Sequence, residues 1–376
     1  MSPAAVPPPS AAAPPVRRLD STASVCVIAN PSAGRAGRQV ALEAAVARWS
    51  LRGWTIRWRS TQAPGDATAL ARAAAADGAD IVAVAGGDGT VNEAANGLVG
   101  TRTALAVLPS GTANVLAAQL GLVAWPSPWR TPDLGAAADA LADGVVHRID
   151  VGLVEAAGRP KRYFVMWAGV GADAAVVAAL EGPGHTALKS RLGAWAYAIV
   201  GARTLLFDRG GEAVMRIDGV RTRGHLRGVI VNNMPLYAGV LHLAPEAVFD
   251  DGRLDAATFF GPSGVRAVAH WLAAARAGSP RAFQRRVLGG ERDAEHLLST
   301  PCRTVRIVSR PPLAVHVDAE PWGTTPVRIS IQPGALELVV PVGAEGALFS
   351  PPDPLRATAS ALWEAWPTPF DRPVRT

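Results

Sequence analysis

Three glycines surround a single aspartate, Asp88, in the segment VAGGDGTVNE at residues 84–93. An apolar stretch with the pattern of a strand (81–85) precedes the glycines, and a stretch with the pattern of a helix (91–98) follows them. Because glycine has no Cβ, the backbone here can turn sharply and approach a ligand closely. N–H groups at the start of a helix attract anions such as phosphate. The acid would repel a phosphate unless a cation or a hydroxyl group lies between them, so the segment indicates nucleotide chemistry.

Two further loops have the same character. Residues 30–35 (NPSAGR) follow a predicted strand at 24–29, and residues 109–114 (PSGTAN) follow one at 104–108. Loops that follow the strands of a parallel sheet emerge at one edge, where open α/β sheets bind ligands, so we expect all three loops to meet at one crevice. They contain no lysine, and neither G-x-x-x-x-G-K-[ST] nor G-x-G-x-x-G with an acidic partner is present. Walker-type and Rossmann-type sites are therefore disfavoured.

Strands and helices alternate in the first part of the chain, which is typical of βαβ units around a parallel sheet. A further strand is predicted at 54–61, and helices are predicted at 37–51, 65–77, 113–120 and 134–143.

After about residue 147 short strands dominate, beginning with a hairpin at 147–155 and 162–170. Later strands are predicted at 213–217, 226–232, 254–260, 304–309, 314–317, 327–332 and 335–340, with helical inserts at 191–207 and 265–277. The predicted fold class is α/β with two domains. An N-terminal parallel α/β nucleotide-binding domain precedes a C-terminal β-sandwich-like domain with helical inserts.

The length of 376 residues, 49% hydrophobic and 18% charged, suits two globular domains with tails. We predict a disordered N-terminal tail at 1–18, a first domain at 19–150, a second domain at 151–345, and a Pro/Trp-rich tail at 346–376.

Composition also excludes several classes of protein. The only cysteines, Cys26 and Cys302, provide neither a disulfide framework nor zinc-ligand spacing. The N-terminus lacks the pattern of a secretory signal, and the uncharged stretch 103–129 is interrupted by prolines and amides, so a cytoplasmic protein is expected. The net charge is +6, but no basic stripe alternates with aromatic residues, so no nucleic-acid binding is expected.

The segments NPSAG, GGDGTVNE and PSGTAN, in this order and spacing, resemble the catalytic domain of the diacylglycerol kinase family. That family includes bacterial soluble lipid kinases, sphingosine kinases and ceramide kinases, and the resemblance covers about residues 25–340. It implies that the first domain is an ATP-binding catalytic domain, that ATP is the phosphoryl donor and binds between the domains, and that a lipid is the acceptor.

The resemblance also implies which residues line the nucleotide, and backbone N–H groups with small hydroxyls can bind phosphate without a lysine. The implied residues are Asn30, Pro31, Ser32, Ala33, Gly34, Thr61, Gly86, Gly87, Asp88, Gly89, Thr90, Val91, Asn92, Glu93, Gly111, Thr112 and Asn114.

Residues 245–255 resemble the family segment P-x-A-x-x-D-D-G-x-L-D. The resemblance implies a structural Mg²⁺ held by Asp251 and by the main-chain carbonyls of Val248 and Arg253, and hard oxygen ligands around a turn suit magnesium. From the residues alone, an ordinary Asp-Gly turn between strands explains the segment as well.

Residues 316–321 resemble the family segment V-D-G-E-P, in which Glu320 corresponds to the general base and Asp318 is a second catalytic acid. Ala319 replaces the family's glycine and would be strained if its φ were positive. In the sphingosine kinase branch the base is the aspartate of the glycine-rich loop, here Asp88, which alternatively binds the catalytic Mg²⁺. We assign the base to Glu320, and metal binding or orientation to Asp88.

A lipid acceptor requires contact with a membrane surface, which for a cytoplasmic protein is peripheral contact at the inner membrane. Uncharged or amphipathic stretches at 192–202 and 265–277, with basic flanks and aromatic residues, suit docking on anionic lipid, although helices of this kind also pack against a core. A homodimer is compatible with the sequence. Two alternative functions are a kinase of nicotinamide dinucleotide (NAD), whose family also carries GGDGT, and a non-catalytic nucleotide or lipid sensor.

Overall fold

A computed structural model of the chain describes residues 16–33, 38–123, 132–181, 209–237, 241–261, 298–344 and 348–349. Several predicted features lie outside the described residues: most of the N-terminal tail, Gly34, the helical inserts at 191–207 and 265–277, the stretch at 192–202, and most of the C-terminal tail. Within the described residues, no helix is long and apolar enough to cross a membrane.

The first domain contains a parallel sheet in the order β3-β2-β4-β5. Its strands are β2 (Ser24–Ala29), β3 (Thr55–Ser60), β4 (Ile81–Gly86) and β5 (Ala104–Pro109). Every residue of β4 and β5 is buried, because helices cover both faces of the sheet, whereas β3 is a largely exposed edge strand.

The helices follow the predicted alternation with small shifts of their ends, and α6 follows a strand in a region where we predicted no helix. They are α1 (Arg38–Leu51), α2 (Asp66–Ala76), α3 (Asp88–Leu98), α4 (Val115–Gln119), α5 (Leu134–Ala142) and α6 (Ala172–Glu181).

The second domain is built mainly from antiparallel strands, which confirms the predicted fold class. Its strands are β6 (Val145–Glu155), β7 (Arg162–Phe164), β8 (Trp167–Gly171), β9 (Gly211–Ile217), β10 (Val220–Asn232), β11 (Leu236–Tyr237), β12 (Leu241–His242), β13 (Leu254–Phe260), β14 (Leu298–Cys302), β15 (Thr304–Arg310), β16 (Ala314–Val317), β17 (Glu320–Thr324) and β18 (Val327–Val340).

One mixed sheet joins the two domains. Strand β18 pairs in parallel with β5 of the first domain and antiparallel with β6 and β15 of the second. The order β17-β16-β8-β10-β9-β15-β18-β5-β4-β2-β3 therefore runs through both units. The end of the second domain thus completes the sheet of the first, which is why the acids after residue 316 can reach the glycine-bearing loops.

Three predictions of local structure need correction, two of strands and one of the disordered tail. The predicted strands 327–332 and 335–340 are one strand, β18, with an irregular register between Gln332 and Leu336. The predicted strand 162–170 is split into β7 and β8. Residues 16–18, placed by prediction in the disordered tail, form β1 (Val16–Arg18), because β6 offers them a free edge for antiparallel pairing.

Two apolar cores support this arrangement. The first surrounds the parallel sheet and includes Ile28, Val84 and Leu108, together with Val339 from β18. The second lies under the antiparallel strands and includes Val229.

Candidate active site

The three glycine-bearing loops meet at the carboxyl ends of β2, β4 and β5. Asn30 donates its main-chain N–H to the carbonyl of Ala85 (2.9 Å) and its Nδ2 to Thr90 Oγ1 (3.0 Å). A Cβ on Gly111 would overlap the Cα of Gly87. The second loop therefore touches both of the others, which confirms the expected convergence on one crevice.

Helix α3 begins at Asp88, three residues before the predicted start. Gly87 is its extended N-cap residue (φ −89°, ψ 178°), and the Gly87 carbonyl accepts the Val91 N–H (3.1 Å). Asp88, Gly89 and Thr90 consequently form the first helical turn. N–H groups of a first turn have no partner within the helix, so this turn is an anion-binding position.

At two positions around this turn a glycine leaves space that a neighbouring side chain occupies. A Cβ on Gly86 would lie 2.7 Å from the Thr90 Cβ, and a Cβ on Gly89 would overlap Glu320 Oε1. Glu320 belongs to β17 of the second domain and is partly exposed. The predicted base therefore lies against the start of α3, at the place where the phosphates are predicted.

Asp88 links the second loop to the third. Its Oδ1 accepts the main-chain N–H groups of Val115 (2.9 Å) and Leu116 (3.4 Å), at the start of α4. Burial raises the pKa of Asp88 to about 6, although these hydrogen bonds oppose the rise. This carboxylate is therefore held in place and would gain from a nearby cation.

Asn114 shapes the third loop from inside. The backbone of Asn114 is left-handed (φ 52°). The side-chain Oδ1 accepts the Gly111 N–H (2.8 Å), and Nδ2 donates to the Gly111 carbonyl (2.9 Å). Thr112 is exposed at the tip of the loop. Thr112, rather than the buried Asn114, is thus available to a ligand.

The first loop is closed by Asn30, whose Oδ1 accepts the Ser32 N–H (3.0 Å) and whose carbonyl accepts the Ala33 N–H (3.0 Å). Pro31 lies exposed in this turn. Thr61 follows β3 and donates its main-chain N–H to the carbonyl of Ala29 (3.0 Å), at the same edge of the sheet.

Glu93 has partners on a neighbouring helix. Its carboxylate accepts the main-chain N–H groups of Gly65 (2.8 Å) and Ala67 (3.2 Å) at the start of α2. A carboxylate in this position stabilises the helix N-terminus. The structure therefore places this predicted phosphate-binding residue where it holds α2 against α3.

Asn92 joins α3 to the second domain and is buried. Its Nδ2 donates to Asp318 Oδ2 (2.7 Å) and to the Tyr163 carbonyl (2.9 Å). Its Oδ1 accepts from the Arg162 guanidinium (3.0 and 2.8 Å). Asn92 thus positions two charged groups of the second domain.

Arg162 is a site residue that the sequence did not reveal. Its Nη2 forms an ion pair with Glu320 Oε2 while the same guanidinium holds Asn92. The loops contain no lysine, and Arg162 brings a cation to them from β7. No motif surrounds this residue in the sequence, so only the pairing of β6 with β7 could place it here.

The carboxylate of Asp318 is buried and fully occupied. Its two oxygens accept from Asn92 and from the main-chain N–H groups of Val165 (2.9 Å), Met166 (3.1 Å) and Trp167 (2.9 Å). Burial raises the pKa of Asp318, and the hydrogen bonds oppose the rise. Because all four partners are internal, this geometry suits a residue that positions the Glu320 turn better than one that contacts substrate.

The turn before Glu320 has a strained backbone. Ala319 has φ 62°, the left-handed conformation in which we expected strain for a residue with a Cβ. Its main-chain N–H donates to His316 Nδ1 (3.2 Å). The turn, with alanine where the family has glycine, still directs Glu320 toward the start of α3.

We expect Ala319→Gly to stabilise the protein, because left-handed strain of about 1–2 kcal/mol is relieved while glycine adds about 0.5–1 kcal/mol of chain entropy. The free energy of unfolding in urea should rise by about 0.5–1 kcal/mol. In the control variant Ala73→Gly, on the exposed face of α2, the same change should lower it by about 1 kcal/mol. A loss of stability in Ala319→Gly would show that its φ is not strained.

The buried pair of His316 and Asp173 supports this turn. His316 Nε2 pairs with Asp173 Oδ2, and the other oxygen of Asp173 accepts the hydroxyl of Tyr237. A Cβ on Gly169 would overlap both Asp173 and His316, so glycine leaves room for the pair. The sequence showed neither Asp173 nor Tyr237 as partners, because they come from α6 and β11.

The predicted cation site lies on the turn between Val248 and Arg253. Asp251 is exposed and its Oδ1 accepts the Arg253 N–H (2.9 Å). Asp150 lies behind it, and burial, together with the charge of Asp251, raises the pKa of Asp150 to about 6. In the described part of the chain, no group of three or more His, Cys, Asp or Glu side chains could hold a metal. The Mg²⁺ site at Asp251 and the carbonyls of Val248 and Arg253 therefore stays a prediction.

Comparisons with known families match both parts of the chain. The diacylglycerol kinase catalytic domain matches residues 24–154. The YegS C-terminal NAD kinase beta sandwich-like domain matches residues 167–340. The two matches follow the order of the parallel and antiparallel parts of the sheet.

Several individual proteins similar to this chain are named diacylglycerol kinases. The chain is 32% identical to the diacylglycerol kinase of Bacillus subtilis (strain 168) over 231 residues, 61% of this chain and 71% of that protein. It is 28% identical to the diacylglycerol kinase of Mycobacterium tuberculosis (strain H37Rv) over 325 residues, 86% and 97% of the two chains. The crystal structure of a diacylglycerol kinase from Bacillus anthracis (strain Sterne) shares the fold, with a TM-score of 0.61 and 21% identity over 86% of this chain and 98% of that one.

Proposed function

Because this chain belongs to the diacylglycerol kinase catalytic-domain family, whose members are lipid kinases, we propose that it transfers the γ-phosphoryl group of ATP to the hydroxyl group of a lipid such as diacylglycerol. One observation carries the proposal. Glu320 of the second domain lies against Gly89 at the start of α3, so an acid and an anion-binding helix terminus share one crevice.

We place the triphosphate at the first turn of α3 and at the loop of Thr112. Thr112 offers a hydroxyl, and the first turn offers N–H groups at the positive end of the helix dipole. Arg162 adds a cation from the second domain, and a guanidinium fork suits phosphate oxygens. Together they bind the charge that develops during phosphoryl transfer.

Glu320 is the proposed general base. It takes the proton of the lipid hydroxyl as the hydroxyl oxygen attacks the γ-phosphorus and the bond to the leaving ADP oxygen breaks. Arg162 and the Asp318 turn orient this carboxylate. Asp318 is in this proposal a positioning residue, because its oxygens are occupied by internal donors.

Asp88 and Asp251 are the proposed cation-holding side chains, and Mg²⁺ is the cation that kinases of this type use. A divalent cation neutralises phosphate oxygens as the bond to the leaving group breaks. Asp88 fits this role because burial has raised its pKa, so that the charged form is disfavoured until a cation approaches. Asp251 holds a structural cation on its turn.

An assay with γ-labelled ATP separates the proposed function from its alternatives. The protein is incubated with Mg²⁺ and either dispersed diacylglycerol, a sphingoid base, a lysophospholipid or free NAD. Label in the organic phase supports a lipid kinase, and the lipid that acquires it identifies the acceptor. Label on the dinucleotide would identify an NAD kinase instead, and label on none of them would leave a non-catalytic sensor.

A further inference from the structure

Four arginines form a row across four adjacent strands of the second domain. Arg221 on β10 lies opposite Arg216 on β9, Arg216 lies opposite Arg306 on β15, and Arg306 lies opposite Arg328 on β18. All four are exposed. Directly opposite residues of antiparallel strands lie on the same face with Cβ atoms about 4.5–5.5 Å apart. We call these four residues the arginine row.

Most of this charge is uncompensated within the described residues. Glu155 lies opposite Arg328, 3.7 Å from its guanidinium and 2.8 Å from Lys161 Nζ. No ion pair between described residues includes Arg216, Arg221 or Arg306. Like charges directly opposite one another destabilise a sheet, so the row costs the fold stability. An anionic partner would explain why the surface keeps it.

Small aliphatic residues lie beside the row. On the same face, Val214 is paired with Val308 and with Arg223. Val308 is 57% exposed. Cations together with exposed aliphatic side chains suit the headgroup layer of an anionic bilayer, which offers both charge and shallow apolar contact.

The same face fits a nucleic acid less well. Strands β9, β10 and β15 contain no Phe, Tyr or Trp. Proteins that bind single strands stack bases on such residues, and basic charge alone provides weaker, unselective binding. The proposed lipid acceptor, in contrast, is found in membranes.

The row also leads to the candidate active site. Beyond Arg328 the same line across the sheet continues through Glu155 to Lys161, which pairs with Glu155. Lys161 is the chain neighbour of Arg162, which holds Glu320. Consecutive residues of a strand point to opposite faces, so Arg162 lies on the other face of this hairpin, opposite the buried Val154. A surface bound along the row would lie beside the hairpin, with the site on its far face.

We propose that the arginine row docks the protein on a bilayer rich in anionic phospholipids and so keeps the hairpin that carries Arg162 close to the membrane that contains the lipid acceptor. This inference rests on the proposed function and names the surface on which that function operates. The membrane contact is electrostatic, so added salt weakens it.

The test uses the double variant Arg216→Gln/Arg306→Gln, with Arg57→Gln/Arg59→Gln on the exposed edge strand β3 as a control with the same charge change. Co-sedimentation is measured with phosphatidylcholine vesicles with and without phosphatidylglycerol. Each arginine near an anionic surface contributes about 1 kcal/mol, or about fivefold, so the double variant should bind anionic vesicles about 25-fold more weakly. The control should change by less than about twofold.

Two further measurements separate docking from catalysis and from folding. Activity on a short-chain diacylglycerol in detergent should be unchanged in the double variant, and its thermal midpoint should not fall, because like-charge repulsion has been removed. Unchanged vesicle binding, or an equal loss in the control, would overturn the docking surface. So would a loss of duplex DNA binding without a loss of vesicle binding. Absence of activity on detergent-dispersed lipid in the unmodified protein would overturn the proposed function alone.

Discussion

Glu320→Gln is expected to lower kcat by about 10²–10⁴ while leaving the fold intact, because the amide cannot accept the proton of the lipid hydroxyl. Glutamine has the shape of glutamate, so it can still occupy the space beside Gly89 that the missing Cβ leaves open. It loses the charge that pairs with Arg162. The proposed triphosphate contacts at the first turn of α3 and at Thr112 are not altered, so the KM for ATP should change much less than kcat.

The measurement is steady-state transfer of labelled phosphate to dispersed diacylglycerol, with unfolding in urea as a check of the fold. The control Glu43→Gln makes the same chemical change on the exposed face of α1 and should leave kcat unaltered. Turnover of Glu320→Gln within a few-fold of the unmodified protein would remove Glu320 from the mechanism. The base would then be sought at Asp88, the alternative that the glycine-rich loop offers.

Asp88→Asn is expected to lower kcat by about 10²–10³, because the proposed cation and the developing charge lose a fixed negative partner. Asparagine keeps the Oδ1 acceptor for the Val115 N–H, so the contact between the second and third loops remains. Asp88→Ala removes that acceptor as well. It should lose the same activity and be about 1 kcal/mol less stable than Asp88→Asn, because the start of α4 loses its acceptor.

Although Asp88→Asn should lower activity, it should raise the stability of the fold. The folded protein holds the Asp88 proton up to about pH 6, whereas the unfolded chain releases it near its ordinary pKa of 3.8. The charge therefore costs stability that grows as the pH rises from about 4 to 6 and is constant above that range. Asp88→Asn removes this cost and should be more stable by about 1–3 kcal/mol at pH 8, but not at pH 4.

Urea unfolding at the two pH values, together with the kinase assay at pH 8, tests both effects. A variant that is more stable yet nearly inactive would show that a buried charge is kept for function at the expense of folding. If Asp88→Asn retained full activity, Asp88 would be a structural link between loops and no more. Equal stability changes at pH 4 and pH 8 would contradict the raised pKa.

The sequence alone determined the fold class and the place of the crevice. Apolar runs such as 24–29 and 81–85 alternate with helical ones, and loops that follow parallel strands must emerge at one edge whatever the details of packing. That is why the convergence of the three loops could be predicted, and the close approach of Gly111 to Gly87 agrees with it. For Ala319 the sequence established only that a positive φ would be strained, and the structure supplied that φ.

The start of α3 was harder to predict because Gly89 is a poor helix former in isolation. Tertiary packing overrides that preference. The Glu320 carboxylate lies in the space beside Gly89, and Asp88 accepts main-chain N–H groups at the start of α4, so the turn is fixed by tertiary contacts and the helix begins at Asp88.

Only the tertiary structure decided what the charged side chains contact. Glu93 holds α2, Asp318 is occupied by main-chain donors, and Arg162 reaches Glu320 from another strand. The arginine row is equally invisible in the chain, since its members are 5 to 112 positions apart and meet only through strand register. The order of strands and helices follows from backbone geometry and local residue types, which the sequence contains. Hydrogen bonds and ion pairs depend instead on which distant segments the sheet brings within a few ångströms.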